Sequence, residues 1–155
     1  MITIDEFNKM TGHETLHPLV GIADLAEDRL DADVCTPCNF YALLCNGEHL
    51  WLVIPGDVFM IPSFRNKEEY GYTGVLFHPD LLCDTPLEHE IVNYSHKCSC
   101  HKKLCDNEKK IICGCLDLIA HELEHSIDRY TSVIIVSQIG LLLNHCTRIC
   151  NQGSA

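Results

Sequence analysis

The hydrophobic period of this chain changes once, at His78-Pro79, and that change most limits what it can fold into. Before it, apolar residues come in short extended runs: Asn39–Cys45, Glu48–Ile54, Asp57–Pro62 and Tyr72–His78. Asn46-Gly47 between the first two is a two-residue hairpin signal, because both residue types tolerate positive φ. Pro55-Gly56 suits the second and third positions of a type II turn. Short strands joined by tight turns predict a small antiparallel barrel or sandwich. After the change the spacing becomes three and four. Thr85 as a cap with Pro86 in the first turn opens a short helix to about Tyr94. Asp106 or Asn107 caps a long helix to about Tyr130, with Ile111, Ile112, Cys115, Leu118, Ile119 and Leu123 on its apolar side. Thr131 or Ser132 opens a second helix through Cys150, antiparallel to the first because the gap is small. Residues 1–17 read as an arm or short helix and His17–Ile22 as extended. Ala23–Asp33 and Arg65–Tyr72 read as loops, and His96–Cys105 fits no pattern. The expected fold class is therefore α+β: one domain over 1–155, with a small antiparallel β-barrel over about 16–79 and a helical part over about 85–150.

Twenty-two acidic residues against eleven basic ones give a formal net charge of −11. Such a surface repels phosphate backbones, so specific nucleic-acid binding by this chain alone is not expected. No apolar run reaches the roughly 18 residues that span a bilayer, and acids stand near the start where a secretory signal carries bases. A cytoplasmic location is the expectation, with no membrane partner. There the eleven cysteines stay reduced and serve mostly as small buried apolar residues.

Three motifs invite chemistry. His121-Glu122-Leu123-Glu124-His125 matches the zinc-hydrolase pattern, in which two imidazoles four apart on a helix bind the metal and the Glu acts as base. A third protein ligand is then needed, yet no Glu follows between Ser126 and Ala155; only Asp128, His145 and Cys146 could serve. His96, Cys98, Cys100, His101 and Cys105, with Cys113 and Cys115 nearby, have the donor atoms of a structural zinc site but no matched pair of spacings. Cys35-Thr36-Pro37-Cys38 has redox-motif spacing but follows an acidic loop and precedes a strand, the reverse of what lowers a thiol pKa. The His-x-His pair of metal-dependent cupin enzymes is absent. Zinc binding, catalytic at His121/Glu122/His125 or structural in the Cys98–Cys115 region, is kept as the alternative function. The leading expectation is a non-enzyme without cofactor.

That expectation rests on two stretches. Gly74-Val-Leu-Phe-His-Pro-Asp-Leu-Leu82 followed by Thr85-Pro86-Leu87, together with Glu122 to Arg148, resembles the effector-sensing N-terminal region of AraC-type transcription regulators. Pro55-Gly-Asp-Val-Phe-Met-Ile-Pro62 is similar to a segment of cupin-like sensor domains. The resemblance covers about 16–150, strongly after Gly74. It implies a cupin-like barrel that binds a small-molecule effector, two helices that support a homodimer, and DNA binding only through an attached helix-turn-helix half, which does not follow Cys150 in this sequence. Tyr41, Trp51, Phe59 and Phe77 are the candidate effector-lining positions. The second helix carries apolar residues on more than one stripe. Its row Ile135, Ile139, Leu142 and Cys146, or the adjacent row Ile134, Gln138, Leu141 and His145, is expected to face the partner copy.

Overall fold

The computed structural model describes residues 1–28, 30, 33–61, 63, 71–94 and 97–152. The order is α1 (Ile4–Thr11), β1 (Val20–Asp24), β2 (Val34–Pro37), β3 (Tyr41–Cys45), β4 (His49–Val53), β5 (Val58–Ile61) and β6 (Thr73–Phe77). A 3-10 turn (Pro79–Leu82), α2 (Leu87–Tyr94), β7 (Cys100–His101), α3 (Asp106–Glu124) and α4 (Thr131–Gln152) complete it. The expected loop over Arg65–Tyr72, the end of the strand at Pro62 and His96 of the zinc cluster lie mostly or wholly outside the described residues.

The class is α+β, but the strands do not close into a barrel. A five-stranded antiparallel sheet, ordered β1-β6-β3-β4-β7, faces a separate two-stranded sheet of β2 and β5. Helices α2, α3 and α4 cover one face of the large sheet. On the other face, α1 and the β2–β5 pair enclose a second core. Successive residues therefore go to different cores: Leu43, Val75 and Phe77 to the helix side, Leu44, Leu76 and Val53 to the other. A sheet buried on both faces needs apolar residues at every position, which is why Tyr41-Ala-Leu-Leu-Cys45 shows no alternation. Strand β7 lies within the helical half of the sequence yet completes this sheet, so the two halves share one scaffold.

Local chemistry sets the boundaries. Register Cys45↔Leu50 puts the hairpin turn at Gly47-Glu48 rather than Asn46-Gly47. Gly47 takes φ 93°, as the first position of a II′ turn requires, and Asn46 Oδ1 accepts the Glu48 N–H at 3.1 Å. Gly56 has φ 95° and the Asp57 N–H donates to Ile54 C=O at 3.1 Å, the expected type II geometry. Thr85 does not cap α2 through its side chain; its hydroxyl donates to Leu82 C=O at 2.7 Å. The cap of α3 is Cys105, whose N–H is taken by Glu108 at 2.9 Å, instead of Asp106 or Asn107. That helix stops at Glu124, short of Tyr130: His125 is extended at φ −76°, ψ 149°, and Asp128 Oδ1 accepts the Tyr130 N–H at 2.8 Å just ahead of α4. Among the described residues, α4 is a helix long and apolar enough to cross a membrane by length and composition, with a mean hydropathy of 1.5, contrary to the expectation of no such run. Its inward row fills the helix-side core.

Candidate functional site

The four aromatic positions expected to line one effector pocket are split by the large sheet. Tyr41 stacks on Phe77 with centroids 5.2 Å apart on the helix side, and Trp51 stacks on Phe59 at 6.3 Å on the other. Phe59 and Phe77 are fully buried core residues. Tyr41 and Trp51 are each half-buried, and the Trp51–Phe59 pair continues into further ring contacts on its side of the sheet. Strand β4 carries His49 and Trp51 on one face, two residues apart, and β7 sets His101 opposite His49. The imidazoles stack with centroids 4.1 Å apart and planes 10° from parallel. His49 Nδ1 is 2.8 Å from the Tyr72 hydroxyl, and Tyr72 also meets Trp51 at 5.9 Å. Burial holds the His49 pKa below its ordinary value, and the neighbouring His101 imidazole adds to this. The result is a row of planar faces (His101, His49, Trp51) flanked by a phenol, able to stack a planar or apolar group and to exchange hydrogen bonds with it. Sequence reasoning named Trp51, placed His101 in a zinc cluster instead, and missed His49 and Tyr72; a histidine two residues before the one tryptophan, on a predicted strand, was the available signal.

The first candidate dimer row is not a surface. Ile135, Ile139, Leu142 and Cys146 are at most 1 % exposed, buried against the chain's own sheet and helices. The adjacent row faces outward: Ile134 and Leu141 are exposed at 41 % and 47 %, with Gln138 and His145 half-buried. Val133 (64 %) and, on α3, Leu118 (54 %) extend the apolar outer surface of the helical hairpin. Arg148 is the one Asp, Glu, Lys or Arg in α4.

The zinc motifs do not assemble. His121 lies exposed in the last turn of α3, but His125 is already outside the helix, with its Nδ1 2.7 Å from Ser126 C=O, so the i, i+4 face is not formed. Asp128 is engaged in the turn before α4, and Cys146 is buried with its thiol pKa pushed far up by burial. In the second cluster the donors diverge. Cys98 is buried and donates to Leu143 C=O at 3.4 Å; Cys100 is joined to Cys150 in a disulfide; His101 stacks on His49; Cys105 is exposed at the start of α3. Among the described residues no three His, Cys, Asp or Glu side chains converge as for a metal. The disulfide corrects the expectation that every thiol is reduced, while Cys38, Cys45, Cys98, Cys115 and Cys146 are buried free thiols, as expected of small apolar residues. Cys35 is exposed on β2 and Cys38 buried, its pKa raised by burial, so this pair lacks the helix N-terminus that activates a redox thiol.

No protein-family model, curated protein or solved structure matches this chain.

Proposed function

We propose that this chain is an effector-sensing and dimerisation module of the AraC type, binding DNA only through an attached helix-turn-helix half. The observation that carries the reading is the outer face of the α3–α4 hairpin, where Leu118, Val133, Ile134 and Leu141 are exposed on helices that the resemblance assigns to self-association. Each Å² of such surface withdrawn from water contributes about 25 cal/mol, and a two-fold contact uses the same patch from both copies. The half-exposed row His49, Trp51 and Tyr72 is the effector surface in this reading. An effector acts there only if it binds one arrangement of the module better than another.

Sedimentation equilibrium at tens of micromolar tests it. The wild-type chain is expected to run as a dimer. Leu141→Glu puts one carboxylate from each copy into the contact and is expected to give folded monomers by circular dichroism. A wild-type monomer at that concentration refutes the dimerisation role. Trp51, the one tryptophan of the chain, reports effector binding by a change in its fluorescence.

A further inference from the structure

Residues 98–102 form a strap between strand β4 and the last turns of α4, and their side chains alternate between the two, as in an extended chain. Even-numbered residues go to α4. The Cys98 thiol donates to Leu143 C=O at 3.4 Å and lies 3.1 Å from the Thr147 hydroxyl, and Cys100 is bonded to Cys150. Lys102 Nζ, held mainly by Glu108 at 2.8 Å, also reaches Ile149 C=O at 3.5 Å. Odd-numbered residues go to β4. Ser99 Oγ accepts the Leu52 N–H at 3.1 Å, and the His101 ring stacks on His49. The strap thus joins the last turn of α4 to the His49–Trp51 row through two adjacent residues, Cys100 and His101.

The disulfide is the tie that decides where the strap lies. Strand β7 is two residues long, at an edge of the sheet, and among the described residues pairs with β4 alone. Strands this short are marginal without other support. A thiol is a weak donor and the Lys102 contact to Ile149 is long, so neither replaces the bond. Its surroundings favour clean opening and closing. Cys100 is partly exposed, which gives an attacking thiolate its approach. The thiols next to each half of the bond in sequence, Cys98 on the strap and Cys146 one turn back on α4, are buried, and burial raises both pKa values. Thiols kept protonated do not attack disulfides, so Cys100 and Cys150 re-form with each other rather than with these neighbours.

We propose that the Cys100–Cys150 bond is a reversible redox latch: closed, it holds His101 on His49; opened by a dithiol, it frees β7 from the end of α4, and the imidazole stack is lost. A thiolate of the dithiol attacks Cys100 Sγ, forming a mixed disulfide and expelling Cys150 as a thiolate that takes up a proton. The second thiol of the reagent then attacks the reagent's own sulfur in that mixed disulfide. Cys100 leaves and is protonated, and the reagent departs as its disulfide. Two electrons and two protons pass to the protein, and a disulfide oxidant reverses the sequence. An effect on effector binding rests on the functional reading above. The latch itself is read with no effector present, so it and the dimer contact fail by different measurements.

The full chain is treated with dithiothreitol at neutral pH without denaturant, and the histidine ring resonances are followed by NMR, with alkylation and peptide mapping alongside. Cys100 and Cys150 are expected to become alkylated together. The ring protons of His49 and His101 are expected to move downfield as the stack is lost, and oxidised glutathione is expected to restore both the bond and the shifts. Cys100→Ser/Cys150→Ser is expected to show the reduced positions with or without the dithiol, and His101→Ala to remove the response of His49. A bond that opens only in denaturant, ring resonances that reduction leaves in place, a dithiol response that persists in the double variant, or reoxidation that pairs Cys100 or Cys150 with another cysteine each overturn the proposal.

Discussion

Cutting the Cys100–Cys150 bond tests how the last helix is held to the sheet. Cys100 lies on β7, a two-residue edge strand paired only with His49 and Leu50 of β4; Cys150 lies near the end of α4. The bond closes a loop with a sequence separation of 50 residues. Chain-entropy arithmetic for a loop of that length gives about 4 kcal/mol at 25 °C by restricting the unfolded state. For a chain of this size about 2–4 °C of melting temperature accompanies each kcal/mol, so the double variant Cys100→Ser/Cys150→Ser is expected to melt about 8–16 °C lower. Both cysteines are replaced together, so that no partnerless thiol remains to exchange with the nine free cysteines. Scanning calorimetry reads the shift. Thiol titration in denaturant without reductant reads the bond itself: nine reactive thiols are expected of the eleven cysteines. Eleven thiols, or a melting temperature that the double variant leaves in place, would refute the reasoning.

Two further outcomes follow from the sheet and from α3. Gly74 sits in β6 between β1 and β3, and a Cβ there would overlap Leu43 C=O, with the Leu43 carbonyl carbon at 2.9 Å and Leu44 Cα at 3.0 Å; Gly74→Ala is expected to cost about 3 kcal/mol or more, and a urea midpoint equal to wild type would contradict this register. Glu108 accepts from Lys102 Nζ at 2.8 Å and from Cys105 N–H at 2.9 Å, which hold its pKa down from 4.5 to about 2. A folded-state pKa below the unfolded one stabilises at pH above the unfolded value, and that stability is lost as pH falls toward the folded one. Glu108→Gln should therefore flatten the fall in stability between the two, measured as unfolding midpoints across that range; an unchanged acid limb would show the carboxylate to be unperturbed.

Much of this architecture was legible, and the misses have physical causes. Turns with glycine at positive φ declare themselves, so β3, β4, β5 and β6 were read from Gly47 and Gly56 and the apolar runs between them. Strands β2 and β7 were not, because Val34-Cys-Thr-Pro37 and Cys100-His101 are too short and mixed to show a period; pairing with β5 and β4 makes them strands. The barrel failed to close for a reason no local pattern carries: whether two sheets join at their edges depends on long-range pairing. The division of Tyr41 from Trp51, by contrast, could have been read. Trp51 pairs with Leu44, and Tyr41, three residues from Leu44, must point to the opposite face. Cys100 and Cys150 had no spacing to announce them. In α4 two rows were open to the partner, and the more apolar one, Ile135, Ile139, Leu142 and Cys146, is the one the chain needs for its own core, which leaves the adjacent row outward.

The outward row narrows where the proposed dimer would form its contact. Copies that each carry a formal −11 repel one another over a Debye length of about 8 Å at physiological salt, so association is least opposed where neither copy brings charge. The 22-residue helix α4 has one such side chain, Arg148, near its end. At 1.5 Å per residue it is about 33 Å long and about 10 Å across. Its own outer face is on the order of 300 Å², well under the roughly 800 Å² that each partner contributes to a standard specific interface, and α3 beside it adds the exposed charges Lys110, Asp117 and Glu124. Folding alone does not ask for Val133, Ile134 and Leu141 on that face: Glu or Lys serves helix formation about as well as Leu and better than Val or Ile, and would keep apolar area out of water. The inward row already fills the core, so in the proposed dimer the outer row of Val133, Ile134 and Leu141 is the part of α4 that a second copy would cover.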